Sequence, residues 1–132
     1  MCSRRFNNSS NLGKYKGLVK QAYTGIKAPN PNAIVIAGVG GPRSSGGNGN
    51  VSAKTWMNGL VNDKSVKFDA YSQHIYPSQA PKFTSEAYEK VFPTWDSLDD
   101  IYAALDKKKK GMKLYVTEAG YTTGTTPFRT VK

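Results

Sequence analysis

Cysteine, histidine and long apolar runs are nearly missing from this 132-residue chain. The one cysteine, Cys2, excludes an internal disulfide framework and a cysteine-based zinc site. No stretch approaches the ~18 apolar residues of a membrane span, so we expect no membrane partner. The first residues are positively charged with no apolar run behind them, which predicts that this chain has no secretory signal. Export of a longer parent protein stays open, and so does the compartment.

Positive charge is plentiful, because 19 Lys and Arg face 9 Asp and Glu and give a net charge of +10. Such a balance attracts polyanions, and one interpretation is nucleic-acid binding. The densest run, residues 107–110, is four lysines at the end of an expected helix, where cations complement the helix dipole. The other positive residues are scattered and show no signature of a nucleic-acid module. We therefore favour a solvated basic surface over a nucleic-acid partner.

Apolar spacing predicts three helices and three strands in alternation. The predicted helices cover residues 15–26, 52–61 and 98–105, and the predicted strands cover residues 33–37, 68–76 and 114–117. Ser52 is the expected N-cap of the second helix. The apolar face expected for the first helix consists of Tyr15, Leu18, Val19, Ala22, Tyr23 and Ile26. Residues 38–50 contain six glycines and are expected to be loop throughout.

This order of elements is typical of right-handed β-α-β crossovers in a parallel sheet, which is an α/β fold. We expect Ile34, Tyr71 and Val116 on three adjacent parallel strands with flanking helices. A complete (β/α)8 TIM barrel takes about 250 residues, so this chain supplies only part of one. The expected boundaries are a polar lead at 1–11, one domain at 12–123 and a tail at 124–132. Three strands leave two free edges, which predicts self-association or pairing with a complementary barrel half.

Polar residues follow the predicted strands, at the edge where parallel α/β folds build their sites. The glycine loop begins like a dinucleotide fingerprint, but Arg43 stands where the third glycine is required and Pro42 removes an amide, so nucleotide binding is not favoured. His74 shares a strand face with Tyr76, and with no second ligand nearby it is not expected to bind a metal. Glu118 directly follows the third predicted strand. Such a carboxylate could belong to a functional site, and the alternative interpretation is a surface glutamate that faces solvent or pairs with a lysine.

Four segments, in this order, resemble the later part of a (β/α)8-barrel glycoside hydrolase of the retaining clan that includes the cellulase-like family 5 and the family 39 β-xylosidases. The segments are residues 15–39, 56–60, 68–77 and 115–121. They are similar to that clan's fourth helix and fifth strand, the helix that follows, the sixth strand (here FDAYSQHIYP) and the seventh strand (here YVTEAGY). The resemblance covers about residues 15–123 and implies a partial TIM barrel with three parallel strands.

The resemblance implies hydrolysis of a β-linked glycan with retention of configuration. It implies Glu118 as the catalytic nucleophile, Tyr76 as the residue that hydrogen-bonds and orients it, and His74 as a contact for a sugar hydroxyl. Trp95 and Tyr121 are candidate stacking surfaces for a sugar, with a core role for Trp95 as an equal alternative. The implied partner is a carbohydrate substrate, and no metal or organic cofactor is implied. Proteins of this clan are often secreted.

The acid/base glutamate of the clan lies in an Asn-Glu-Pro motif ahead of the matched region, and residues 1–11 do not contain that motif. Neither Glu86 nor Glu89 matches its position. Retaining hydrolysis needs two carboxyl groups about 5 Å apart, so we expect this chain to carry half of the catalytic pair. The alternative is a non-catalytic carbohydrate-binding or degenerate remnant of the same fold. A basic nucleic-acid-binding α/β domain is a third interpretation.

Overall fold

The computed structural model describes residues 9–40, 51–75 and 98–119. Helices and strands alternate in these residues as α1 (Ser9–Lys27), β1 (Ile36–Gly40), α2 (Ala53–Val61), β2 (Ala70–Ile75), α3 (Leu98–Lys108) and β3 (Lys113–Ala119). The strands form one parallel sheet in the order β1-β2-β3. The predicted α/β class and parallel sheet are confirmed. In the described ranges, no helix combines the length and apolar character needed to cross a bilayer.

β1 lies later in the chain than the sequence predicts. Tyr71 and Val116 lie on adjacent parallel strands, but the placement of Ile34 on a strand was wrong, because β1 begins at Ile36. The backbone N–H of Val35 donates to the Asp69 carboxylate at 2.8 Å, while its carbonyl accepts the backbone N–H groups of Asp69 and Ala70. The expectation of loop throughout 38–50 was also wrong at its start, because β1 runs to Gly40.

The helices agree with the predicted spacing most closely in α2. Ser52 caps α2, since its hydroxyl oxygen accepts the backbone N–H of Thr55 at 3.1 Å. α1 begins at Ser9, inside the expected polar lead. The predicted apolar face of α1 was wrong at two positions, because Leu18 is 61% exposed and Ile26 is 42% exposed. Among the described residues, the core covers only a narrower stripe of α1, formed by Leu12, Tyr15 and Val19.

All three described helices pack on the same face of the sheet. Ala37 of β1 pairs with Tyr71 of β2, which pairs with Leu114 of β3, so the three side chains share that face. They contact one cluster with the helices, whose most buried helical members are Trp56, Met57 and Leu60 of α2 and Ile101 and Leu105 of α3. The opposite face carries smaller or polar side chains on β2, namely Ala70, Ser72 and His74. The site described below lies on this second face.

Asp69 joins the end of α1 to the start of the sheet. Its Oδ2 accepts the N–H of Val35 and lies 2.8 Å from the ammonium of Lys27. The Lys27 ion pair is the main cause that lowers the pKa of Asp69, and the Val35 hydrogen bond adds to it. The folded state therefore favours the ionised carboxylate of Asp69, which binds both the Lys27 ammonium and the Val35 N–H.

Replacing Asp69 with asparagine is expected to lower the free energy of unfolding at pH 7 by about 0.5–1.5 kcal/mol, because the amide keeps an acceptor for Val35 but loses the charge. The folded pKa of Asp69 lies below its unfolded value of about 3.9. The stabilisation is thus present above that pH and disappears as the pH falls through the lower folded value. Urea unfolding at pH 7 and at pH 2.5 measures this. An equal loss of stability at both pH values would contradict this prediction. So would a double variant with Lys27→Gln whose loss equals the sum of the two single losses.

Candidate functional site

The C-terminal half of β1 bulges, and side chains complete its backbone hydrogen bonds. The register between β1 and β2 shifts between Ala37 and Gly40, so two residues, Gly38 and Val39, lie opposite Ser72. Both have positive φ angles, +127° at Gly38 and +51° at Val39. The Ser72 hydroxyl oxygen accepts the N–H of Val39 at 2.9 Å. Polar groups that a bulge takes out of the ladder are thereby satisfied.

Two aromatic side chains from the helices hold the same bulge from the other side. The Tyr15 hydroxyl accepts the N–H of Gly38 at 3.0 Å, and the Trp56 indole donates to the Gly38 carbonyl at 2.9 Å. The two rings lie against each other with centroids 5.2 Å apart. Burial raises the pKa of Tyr15, so its hydroxyl stays neutral at ordinary pH. The bulge is therefore a fixed feature of the sheet.

A second bulge decides where Glu118 lies. Thr117 is an extra residue in β3 at the point where the register shifts, and His74 pairs with Glu118 as a result. In an unbroken register His74 would pair with Thr117, and Glu118 would lie beside Ile75 on the opposite face. The bulge brings Glu118 to the face that carries His74. Bulges are over-represented beside active sites, because they redirect a side chain.

His74 and Glu118 contact each other at the C-terminal edge of the sheet. His74 Nδ1 lies 3.2 Å from Glu118 Oε2. The imidazole is 8% exposed and the carboxylate 46% exposed, so the buried ring holds a carboxylate that solvent reaches. An ionised carboxylate only accepts hydrogen bonds, so Nδ1 is the donor in this pair. The arrangement can fix the carboxylate as a nucleophile or a base while leaving it open to a ligand.

The predicted site residues divide into two groups. His74 and Glu118 are brought together, although Glu118 lies within β3 rather than directly after it. Tyr76, Trp95 and Tyr121 lie outside the described residues. The alternative for Glu118, a glutamate that faces solvent or pairs with a lysine, agrees with the structure in part, since the side chain is 46% exposed but its near partner is His74 and not a lysine.

Retaining hydrolysis also needs a second carboxyl group near Glu118. Of the described acidic residues, only Asp99 and Asp100, in the first turn of α3, share the sheet edge with Glu118. They lie in the helix layer, where they complement the dipole of α3. The other described aspartates lie at the opposite edge, Asp63 and Asp69 between α2 and β2 and Asp106 near the end of α3. The described part of the chain therefore places no second carboxylate beside Glu118 on the sheet.

Sequence reasoning missed several residues that shape the site. Ser72, Gly38 and Thr117 form the two bulges, and only the strand alternation around Ser72 hints at the first of them. Gln73 is 1% exposed, and its Nε2 donates to the carbonyl of His74 at 3.2 Å. Its Oε1 has no hydrogen-bond partner among the described residues. A buried amide oxygen of this kind is suited to an ordered water.

Metal binding has no support in the described ranges, where no cluster of three or more histidine, cysteine, aspartate or glutamate side chains could hold an ion.

No model of a protein family matches the chain, and no curated protein or solved structure matches it either. The site is thus defined by its geometry: a histidine-held carboxylate between two bulges, at the C-terminal edge of a parallel sheet.

Proposed function

We propose that the chain is part of a retaining glycoside hydrolase barrel that cleaves a β-linked glycan, with Glu118 as the nucleophile. The observation that carries this proposal is the 3.2 Å contact between His74 Nδ1 and Glu118 Oε2 at the C-terminal edge of the sheet. Parallel α/β folds build their active sites at that edge. The protein would then be a glycosidase of polysaccharide degradation, with no cofactor required.

The arrangement of the layers supports a barrel over a doubly wound sheet. The strands follow one another in chain order, and the described helices pack on one face only. A doubly wound sheet reverses its strand order and carries helices on both faces, whereas a (β/α)8 barrel does neither. In this proposal the remaining strands belong to the complementary part of the barrel, and β1 and β3 are the strands that they join.

The proposed chemistry assigns different work to the two side chains. With Oε2 held by His74, Oε1 of Glu118 attacks the anomeric carbon and forms a glycosyl ester as the leaving group departs. Water then cleaves the ester. Proton transfer to the leaving oxygen requires a general acid, whose help is typically worth 10²–10⁴-fold. That acid belongs to the complementary part of the barrel, so the isolated chain should turn over ordinary glycans hardly at all.

Two observations favour a second candidate, a carbohydrate-binding remnant of the same fold. Glu118 is 46% exposed, and no described carboxylate lies beside it on the sheet. A remnant would keep the hydrogen-bonding pair for sugar hydroxyls and would form no covalent intermediate. The two candidates therefore differ in one measurable event, glycosylation of Glu118.

Reagents with activated leaving groups separate the candidates, because such aglycones depart without protonation. We expect at least one member of a panel of 2,4-dinitrophenyl 2-deoxy-2-fluoro-β-glycosides to add one sugar mass to Glu118, as located by peptide mass spectrometry. The Glu118→Gln variant should lose the adduct, because an amide is a poor nucleophile. Asp99→Asn, a matched loss of one exposed carboxylate, should keep it. Absence of an adduct across the panel, or an adduct that survives in Glu118→Gln, would overturn the nucleophile assignment and leave the remnant.

A further inference from the structure

A basic groove lies at the opposite edge of the sheet from His74 and Glu118. It has a volume of about 490 Å³ and opens between the last turns of α1 and the segment that links α2 to β2. Its charged lining consists of Lys20, Lys27 and Lys67. None of its lining residues is acidic. Two neighbouring carboxylates offset part of the positive charge, because Asp69 pairs with Lys27 and Asp63 lies near Lys20. A bound anion would offset the remainder.

The three ammonium groups differ in what they already bind. Lys27 lies 2.8 Å from the Asp69 carboxylate, donates to the Pro31 carbonyl at 3.2 Å and lies 5.4 Å from the centre of the Tyr23 ring. In the described residues, neither Lys20 nor Lys67 has an ion-pair partner within 4.0 Å. Asp63 lies near enough to Lys20 for that ammonium to help lower its pKa, but its carboxylate is already 3.4 Å from Lys16. The C-terminus of α1 adds only about half a negative charge, so Lys20 and Lys67 together keep a net positive charge.

The hydroxyl groups of the groove are committed to the protein. Thr24 donates to the Lys20 carbonyl at 3.1 Å, and Ser65 donates to the Asp63 carboxylate at 2.5 Å. The Tyr23 hydroxyl lies near the Asp69 carboxylate and helps to lower its pKa. The donors that face the groove are therefore ammonium N–H groups. A ligand here is recognised by charge rather than by a pattern of neutral hydrogen bonds.

We propose that this groove binds a phosphate group. A phosphate monoester carries about −1.5 to −2 charges at pH 7 and three acceptor oxygens, which suits two unpaired ammonium groups and a third with donor capacity left. A single carboxylate would compensate only one of them. The site lies apart from the candidate nucleophile, so it binds phosphate whether or not Glu118 acts on glycans.

Titration of the 15N-labelled chain with inorganic pyrophosphate, at constant ionic strength, tests the proposal. We expect amide shifts confined to residues 20–28 and 65–67. The double variant Lys20→Gln/Lys67→Gln should bind pyrophosphate at least about tenfold more weakly. Each lysine close to an anion raises the affinity several-fold, and this variant removes two. The control Lys14→Gln/Lys107→Gln also lowers the net charge from +10 to +8 but leaves the groove intact. It should change the affinity less than about twofold.

The outcomes are distinct. Shifts spread over the whole surface, or equal weakening in both double variants, would show that net charge alone attracts the anion and would overturn the proposal. Vesicles of phosphatidylcholine with phosphatidic acid identify the source of the phosphate. Vesicles that displace pyrophosphate from the same amides indicate a lipid headgroup, and vesicles that do not displace it indicate a free phosphorylated molecule. An oligonucleotide bound equally by both variants, without groove shifts from pyrophosphate, would also overturn it.

Discussion

Replacing Gly38 with alanine is expected to lower the free energy of unfolding by about 3–5 kcal/mol, a large share of the ~5–15 kcal/mol that stabilises a domain. The φ angle of +127° at Gly38 is one that residues with a Cβ atom rarely adopt. A Cβ atom there would lie 2.5 Å from the Ser72 carbonyl oxygen and 2.7 Å from the Tyr71 ring. Neither neighbour can move easily, because one is backbone and the other is fully buried.

The same substitution elsewhere in the chain provides the control. Gly17 lies within α1, and a Cβ atom added there would meet nothing within 4 Å. Gly17→Ala should therefore raise the free energy of unfolding by about 0.5–1 kcal/mol, because alanine loses less backbone entropy in a helix. Urea unfolding followed by circular dichroism measures both variants. Similar stability changes in the two variants would mean that β1 does not bulge at Gly38.

The sequence predicts α2 best, because the signals there are local. Ser52 and the apolar residues that follow it at helical spacing specify the cap and the buried face within ten residues of chain. Trp56, Met57 and Leu60, three of the apolar residues expected on that face, are each no more than 2% exposed. A pattern this short depends on no distant partner. Spacing and capping were therefore sufficient to predict α2.

β1 was predicted less well, because distant residues set its start and its shape. Asp69, 34 positions along the chain, binds the N–H of Val35 directly before β1 begins. Tyr15 and Trp56 bind Gly38 and allow a glycine-rich segment to end a strand rather than form only a loop. Contacts of this kind leave no periodic signal in the sequence. Position-by-position propensity therefore favours a loop where the tertiary structure supports a strand.

The candidate site shows the same division. Strand alternation and the resemblance to the retaining clan singled out His74 and Glu118, and these two side chains do lie together. Simple alternation along β3, however, would turn Glu118 away from His74. The register shift at Thr117 turns Glu118 back to the face that carries His74. The residue types in 114–119 do not indicate that β3 contains an extra residue. Residue types thus predicted which side chains matter, while the bulge that joins them had to come from the structure.

Inserting one alanine between Thr117 and Glu118 is accordingly expected to separate Glu118 from His74. With the bulge kept, the inserted residue lies opposite His74, and Glu118 moves to the face of the sheet on which Ile75 lies. Even a 1 Å misplacement of a reacting group can cost about 10²-fold in rate, so labelling of Glu118 by an activated glycoside should fall at least that far. Thr117→Ala keeps the residue count and therefore the bulge, and it should label at close to the original rate.

His74 provides a second measurement that does not depend on glycosidase chemistry. It is the one histidine in the chain, so its imidazole resonances can be assigned without ambiguity. In the insertion variant these resonances should match those of Glu118→Gln, because both changes remove the carboxylate that accepts the Nδ1 proton. In Thr117→Ala they should match the unaltered chain. Imidazole resonances that stay the same after the insertion would show that β3 places Glu118 beside His74 by some means other than the single extra residue, and the role given to Thr117 would be wrong.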